Sequence, residues 1–161
     1  MAHPKHEAVR QRFNYQCVYC GVSESDCGGE LTVDHYHPLS LGGGDEDENL
    51  VYACIRCNQY KGDFYPKGDA ISSEKRVLNP IFDSFEMHLQ ENEQCQLEGL
   101  TETGKFHIKL LQLNRTPLIL HRERKKVNNY LETQNHFLKT IIEVQKQAIT
   151  TMQNYIQELK K

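Results

Sequence analysis

The sequence predicts an α+β fold: a short β-hairpin followed by a helix, a small α+β extension and a long C-terminal helix. Three observations carry this expectation. Two C-x-x-C pairs, Cys17/Cys20 and Cys54/Cys57, stand 33 residues apart. Two short β-prone runs, Leu31-Thr32-Val33 and Leu50 to Ala53, lie between them. From about Thr116 to Lys161 the pattern is helical, without glycine and with only Pro117 near its start.

The elements follow in order. Residues 1–16 read as helical toward Phe13. Residues 17–30 form a cysteine-bearing turn and a glycine-containing loop. The first strand leads into Asp34-His35. Pro38 through Asn49 is loop, with Gly42-Gly43-Gly44 followed by Asp45-Glu46-Asp47-Glu48. After the second strand a helix of about two turns is expected from Asn58 onward, ending between Gly62 and Pro66. Residues 67–80 are a connector closing on Asn79-Pro80. In residues 81–120, apolar positions such as Phe82, Phe85, Leu97, Leu100, Leu111 and Leu113 are candidates to pack on the first region. The expected division is 1–80, 81–124 and 125–161.

Composition narrows the class. The chain has 161 residues, enough for one domain or one domain with an appendage. No apolar run approaches the roughly 18 residues a membrane span needs, and Met1 to Arg10 has no signal-peptide core. A soluble, cytoplasmic protein is therefore expected. The net charge is −3 and unevenly spread: residues 1–70 carry six Lys/Arg against eleven Asp/Glu, whereas 125–161 carry six against three. The densest basic stretch runs from Lys105 to Lys126 and includes Lys109, Arg115, Arg122 and Arg124. It reads equally as a track for a phosphate backbone or as a solvated face.

Six cysteines in a secreted chain would suggest disulfides, but no secretion signal supports that reading. Zinc prefers a tetrahedral set of soft ligands, and two C-x-x-C turns supply four thiolates. Cys17, Cys20, Cys54 and Cys57 are thus the expected ligands of one closed, structural Zn²⁺. Cys27 and Cys95 fall outside both pairs.

Beside these pairs run Val33-Asp34-His35-Tyr36-His37-Pro38, Glu48-Asn49-Leu50 and Cys57-Asn58-Gln59-Tyr60-Lys61-Gly62. Each residue alone has an ordinary reading: a packed histidine, a turn asparagine, a helix cap. Together, Asp-His, an asparagine fourteen residues after His35 and another nine residues later resemble the HNH endonuclease family. The resemblance implies a ββα-metal, treble-clef-like core around one catalytic metal ion. It assigns His35 as general base, Asn49 as brace of the base or its loop, and Asp34 and Asn58 as metal ligands. A hard ion, Mg²⁺ or Mn²⁺, suits these oxygen donors better than zinc or nickel. The chemistry is consistent with hydrolysis of a DNA phosphodiester: an imidazole takes a proton from water, and a cation neutralises charge on the phosphate.

Points remain open at this level. Alternation along a strand sends Asp34 and His35 to opposite faces, so either the hairpin kinks or the site wraps around the strand. His37 can face the metal, touch a phosphate or cover the hairpin. Lys61 can reach a phosphate or stand on the surface.

The resemblance continues past Gly62. Leu78-Asn79-Pro80, Phe85-Glu86-Met87-His88, Gly99-Leu100-Thr101-Glu102-Thr103-Gly104 and Leu110-Leu111-Gln112-Leu113-Asn114-Arg115 are similar to segments of small bacterial HNH proteins, so it spans about residues 8–124. Residues 125–161 depart from it. There Leu131, Gln134, Leu138, Ile141, Gln145, Ala148, Met152, Tyr155 and Leu159 follow a heptad seam, widened by Ile142, Ile149 and Ile156. Such a stripe packs on its own chain, on a second copy or on another protein; a membrane surface suits its Gln-, Asn- and Thr-rich polar face poorly. The leading expectation is a DNA endonuclease, an effector of bacterial defence or a mobile-element nuclease, assembled as a homo-oligomer or with a partner protein. The rival is a non-catalytic, zinc-stabilised nucleic-acid-binding or adaptor module, which has no use for Asp34, His35 and Asn58 together.

Overall fold

A computed structural model describes residues 3–66 and 74–160. The architecture is α+β, in the order α1 (His6–Arg12), α2 (Glu24–Cys27), β1 (Thr32–His35), a 3-10 turn (Leu39–Leu41), β2 (Leu50–Ala53), α3 (Ile55–Lys61), a 3-10 turn (Phe85–Met87), β3 (Leu89–Glu91), β4 (Leu97–Gly99), α4 (Glu102–Leu110) and α5 (Thr116–Leu159). Two compact units result, Met1–His121 and Arg122–Lys161. The small antiparallel sheets, the four-cysteine cluster and the long C-terminal helix agree with a ββα-metal fold. Part of the expected 67–80 connector, residues 67–73, lies outside the described residues.

In the first unit β1 and β2 pair antiparallel, with Thr32 opposite Ala53 and His35 opposite Leu50. Leu50, Val51, Tyr52 and Ala53 are all fully buried, so β2 is covered on both faces and its sequence is continuously apolar rather than alternating. Helix α1 packs on both strands and α3 packs on β1. Arg10 grips Glu24 with two hydrogen bonds of 2.6 and 2.7 Å, and Arg12 donates to the carbonyls of Asp47 and Leu50. These contacts tie the N-terminal helix to α2 and to the end of the long loop.

Two local outcomes differ from the sequence expectation. Helix α2 interrupts the expected loop because Ser23 and Asp26 form a reciprocal capping box. Helix α3 begins at Ile55 rather than Asn58, because the Cys54 side chain caps it by accepting from Cys57 N at 3.4 Å. Asn58 is therefore the fourth residue of the helix.

The extension packs on the same core through the buried Val77, Leu111, Leu113 and Leu118, with Leu97, Ile108 and Leu110 half-buried beside them. Phe82 and Leu100 instead stay exposed. His107 is fully buried and accepts from Leu78 N at Nδ1, 3.0 Å. In the second unit α5 continues as one helix to Leu159, and residues 123–160 are exposed throughout, including the whole heptad seam. No helix among the described residues is long and apolar enough to cross a membrane.

Candidate functional site

The two C-x-x-C pairs meet. All four sulfurs of Cys17, Cys20, Cys54 and Cys57 lie within 4.8 Å of one another, and Cys20 Sγ stands 3.7 Å from Cys54 Sγ. A tetrahedral zinc with Zn–S bonds of about 2.3 Å separates its sulfurs by about 3.8 Å, so the cluster has the spacing of a ZnS₄ site rather than of a disulfide. Backbone geometry builds it. Gly21 takes a positive φ of 75°, which turns the chain so that Gly21 N reaches Cys17 O at 2.8 Å. Cys17, Cys54 and Cys57 are buried, and the Cys54 thiol is held far below the usual thiol range, chiefly by a hydrogen bond from Cys17. Arg115 points its guanidinium at Cys57 Sγ, 3.7 Å away, and over the Tyr60 ring. A cation there offsets the net negative charge of four thiolates around one dication.

At the other end of the hairpin Asp34, His35, Asn58, Lys61 and Asp63 line one cavity of about 270 Å³. Asp34 and His35 are neighbours on β1 and both border this cavity. Asp34 is buried, and both carboxylate oxygens are engaged: Oδ1 accepts from Lys61 Nζ at 3.0 Å and Oδ2 from the Tyr19 hydroxyl at 3.0 Å. Burial is the largest influence on its carboxyl and pushes it above the usual range, against the pull of Lys61 and Tyr19. Lys61, weighed from sequence as a phosphate contact or a surface lysine, is 2% exposed and also donates to His35 O at 2.6 Å. Its position one turn after Asn58 carries the ammonium inward against β1.

The cavity supplies the kinds of oxygen donor that a hard divalent ion takes, a carboxylate and an amide, with the carboxylate oxygens of Asp34 held by Lys61 and Tyr19. Asp34 and Asn58 are the residues that would hold such an ion.

His35 is half-buried. Its Nε2 lies 2.7 Å from Asp45 Oδ1, which also faces His3 Nε2 at 3.3 Å. A carboxylate can only accept, so Nε2 of His35 donates, and in the neutral ring the lone pair is then on Nδ1. Asn49 lies in the loop that follows. Its side chain accepts from His37 N at 2.7 Å and donates to the carbonyls of His37 and Gly44 at 2.9 and 2.7 Å. One amide thus staples both ends of the loop that starts two residues after His35. Gly43 makes this possible, since a Cβ there would overlap His37 O. His37 lies outside the smaller cavity. It stacks on Tyr65 at 4.0 Å, bonds Leu41 O through Nε2 and lines a larger cavity of about 660 Å³.

The basic residues differ in exposure and partners. Lys105 is exposed and paired with Glu102, and Lys109 is exposed. Arg115 faces the cysteine cluster; on α5, Arg122 is buried and Arg124 exposed.

Sequence reasoning missed three partners of the site and the inward pairing of a fourth residue. Tyr19 lies inside the first C-x-x-C, where nothing marks it as a hydrogen-bond donor to Asp34. Lys61 was weighed as a phosphate contact or a surface lysine, not as the partner of Asp34. Asp45 sat in an acidic run, and His3 near a terminus. Only the fold brings His3 and Asp45 to His35.

Residues 17–64 match the HNH endonuclease family. Over 53 residues the chain is 45% identical to the CRISPR-associated endonuclease Cas9 of Corynebacterium diphtheriae. That stretch is 32% of this chain and 5% of that protein, so the chain spans only a small fraction of the curated relative it matches. No solved structure matches the chain.

Proposed function

We propose that the chain is a metal-dependent endonuclease that hydrolyses DNA phosphodiester bonds at the cavity between β1 and α3. The convergence of Asp34, His35 and Asn58 on that one cavity carries this reading. The HNH match over residues 17–64 supports it.

Each residue then has a role its position supports. A divalent Mg²⁺ or Mn²⁺ held by Asp34 and Asn58 would supply positive charge to the scissile phosphate and its leaving oxygen. His35 takes the proton of the attacking water at Nδ1, the nitrogen left with a lone pair while Nε2 donates to Asp45. Asn49 holds the His37–Gly44 loop closed, and Lys61 anchors the end of β1 through His35 O. Tyr19 and Lys61 keep the Asp34 carboxylate oriented toward the cavity. The zinc cluster fixes the hairpin and α3 relative to each other. The exposed Lys105, Lys109 and Arg124 are the candidates for backbone phosphate contacts; Lys61 and Arg115, turned inward in this structure, are poorly placed for that role.

The exposed seam of α5 supports association through residues 125–161, with a second copy as the favoured occupant: its steps of three and four are those of a coiled coil. Two copies would bring two nuclease sites to one duplex. A reducing cytoplasm suits four zinc-binding cysteines. A role in bacterial defence is the biological setting we favour, given the similarity to a CRISPR-associated endonuclease. The competing reading, a zinc-stabilised adaptor without catalysis, leaves the Asp34/His35/Asn58 cavity without a purpose.

Incubation of the purified, zinc-loaded chain with supercoiled plasmid, with and without Mg²⁺ or Mn²⁺, tests the proposal. Nicked or linear product only with the divalent ion supports it. Intact plasmid under all these conditions favours the adaptor.

A further inference from the structure

His35, which lines the Asp34/Asn58 cavity, also converges with His3 and Asp45, which do not line it. One ligand atom from each lies within 4.8 Å of the others, with His35 Nε2 at 2.7 Å and His3 Nε2 at 3.3 Å from the same oxygen, Asp45 Oδ1. The two imidazole rings meet edge to face with centroids 5.6 Å apart. Both histidines are largely shielded, their side chains 18% and 16% exposed.

This arrangement is held from outside. Lys5 Nζ donates to Asp45 O at 2.8 Å and to Asp47 Oδ1 at 2.7 Å, strapping the residues just after His3 onto the acidic loop. His35 is fixed at the end of β1 by its pairing with Leu50. The three donors thus come from three separate stretches of chain, and the run Asp45-Glu46-Asp47-Glu48 gives the neighbourhood a field that attracts cations.

We propose that His3, His35 and Asp45 form a second metal site, selective for Zn²⁺ and similar borderline divalent ions, which withdraws His35 from catalysis when filled. Two imidazoles and one carboxylate suit Zn²⁺, Co²⁺, Ni²⁺ or Cu²⁺ and not Mg²⁺. Three protein ligands leave a fourth position for water. The ion would take the lone pair of Nε2 on each histidine, which moves each ring proton to Nδ1. Without the ion, His35 keeps its lone pair on Nδ1 and can accept a proton; with it, Nδ1 carries the proton and cannot. No net proton is gained or lost by a neutral ring. The exchange gives up the two imidazole hydrogen bonds to Asp45 and the 3.1 Å bond from Lys5 N to His3 Nδ1.

The metal site stands on the geometry alone, whereas its effect on cleavage rests on the nuclease reading. The test separates them. Full-length, untagged, reduced protein carrying its cysteine-bound zinc is titrated with Co²⁺ and followed by calorimetry and visible absorption. The expected result is one further equivalent, with weak nitrogen/oxygen-ligand bands and no thiolate charge-transfer band. It is lost in His3→Gln and in Asp45→Asn, while the cysteine-bound zinc is retained. No further equivalent in the wild type, or an unchanged one in His3→Gln, overturns the site. Cleavage of plasmid in Mg²⁺ is then measured with micromolar Zn²⁺ added. At least tenfold inhibition by zinc is expected in the wild type, and none in His3→Gln, each compared with its own rate without zinc. Equal wild-type rates with and without zinc overturn the withdrawal of His35. A protein that cuts under no condition defeats the nuclease reading and leaves the Co²⁺ titration decisive for the site.

Discussion

Lys61 Nζ stands 3.0 Å from Asp34 Oδ1 with both side chains almost wholly buried, 0% and 7% exposed. A buried carboxylate stripped of its cation is costly. Replacement Lys61→Met should therefore lower stability by about 3–5 kcal/mol, read from urea unfolding at pH 7 without divalent ions. The double variant Asp34→Asn/Lys61→Met should lose much less than the two single losses combined, because no charge is left unpaired. If an ion sits on Asp34, Mg²⁺ should raise the urea midpoint of Lys61→Met more than that of the wild type. A single-variant loss below about 1 kcal/mol would mean that water reaches the pair.

His35→Ala should keep the fold and the zinc but cut plasmid cleavage by about 10²–10⁴-fold, the usual cost of losing a general base. Circular dichroism and zinc content establish that the variant is folded. Cleavage near the wild-type rate would remove His35 from the mechanism.

The cysteine cluster was legible in the sequence, and the reason lies in its chemistry. Four cysteines in two C-x-x-C pairs report their own geometry, because a tetrahedral ion leaves few arrangements. Strands Leu31–Val33 and Leu50–Ala53 were legible from their β-branched and apolar runs, and the end of α5 from unbroken helical periodicity. The start of α3 was not, since a cysteine is an unusual cap and the sulfur bond to Cys57 N has no sequence signature. The inward turn of Lys61 and the meeting of His3 with Asp45 were hidden for another reason. They join residues 27 and 42 positions apart, and no local pattern carries such contacts.

Elemental analysis of EDTA-washed, reduced protein should find one tightly held zinc per chain. Cys57→Ser should abolish it and loosen α3, whose cap shares the same turn. Zinc far below one equivalent in the freshly purified chain would argue against the ZnS₄ site.

Burial holds His107 down to about 3 from its ordinary 6.5, and its Nε2 finds no hydrogen-bond partner among the described residues. The folded value lies below the unfolded one, so the unfolded chain binds more protons at mildly acid pH. The stability this neutral ring allows is complete above 6.5 and is lost as pH falls toward 3, at up to about 1.4 kcal/mol per pH unit. Glu24, held down to about 2 chiefly by its hydrogen bond with Arg10, acts only below its ordinary 4.5. Between pH 6.5 and 4.5 Glu24 is silent, but Asp34, raised by burial, contributes with the opposite sign, so the histidine is read as the difference in slope of denaturant midpoints between the wild type and His107→Gln. His107→Gln should lower the wild-type slope; an unchanged slope would assign it to another group.

Light scattering on the full chain and on a chain ending at Arg124 should give an oligomer and a monomer, respectively. A stripe as apolar as Leu131 to Leu159, exposed along its length, is disfavoured by water until covered. Two monomers at tens of micromolar would rule out self-association. An insoluble shortened chain would shift the account to packing within one chain.

The cysteine pairs bracket the hairpin, so Asp34, His35 and Asn49 all lie on the loop that a zinc on the four cysteines would close. That placement has a consequence in time. During synthesis the loop cannot be sealed until Cys57 has left the ribosome, so an emerging chain holds His35 before it holds the frame that positions it. For the proposed nuclease, zinc loading would then be a licensing step: in a zinc-starved cell the same polypeptide would accumulate without a formed site.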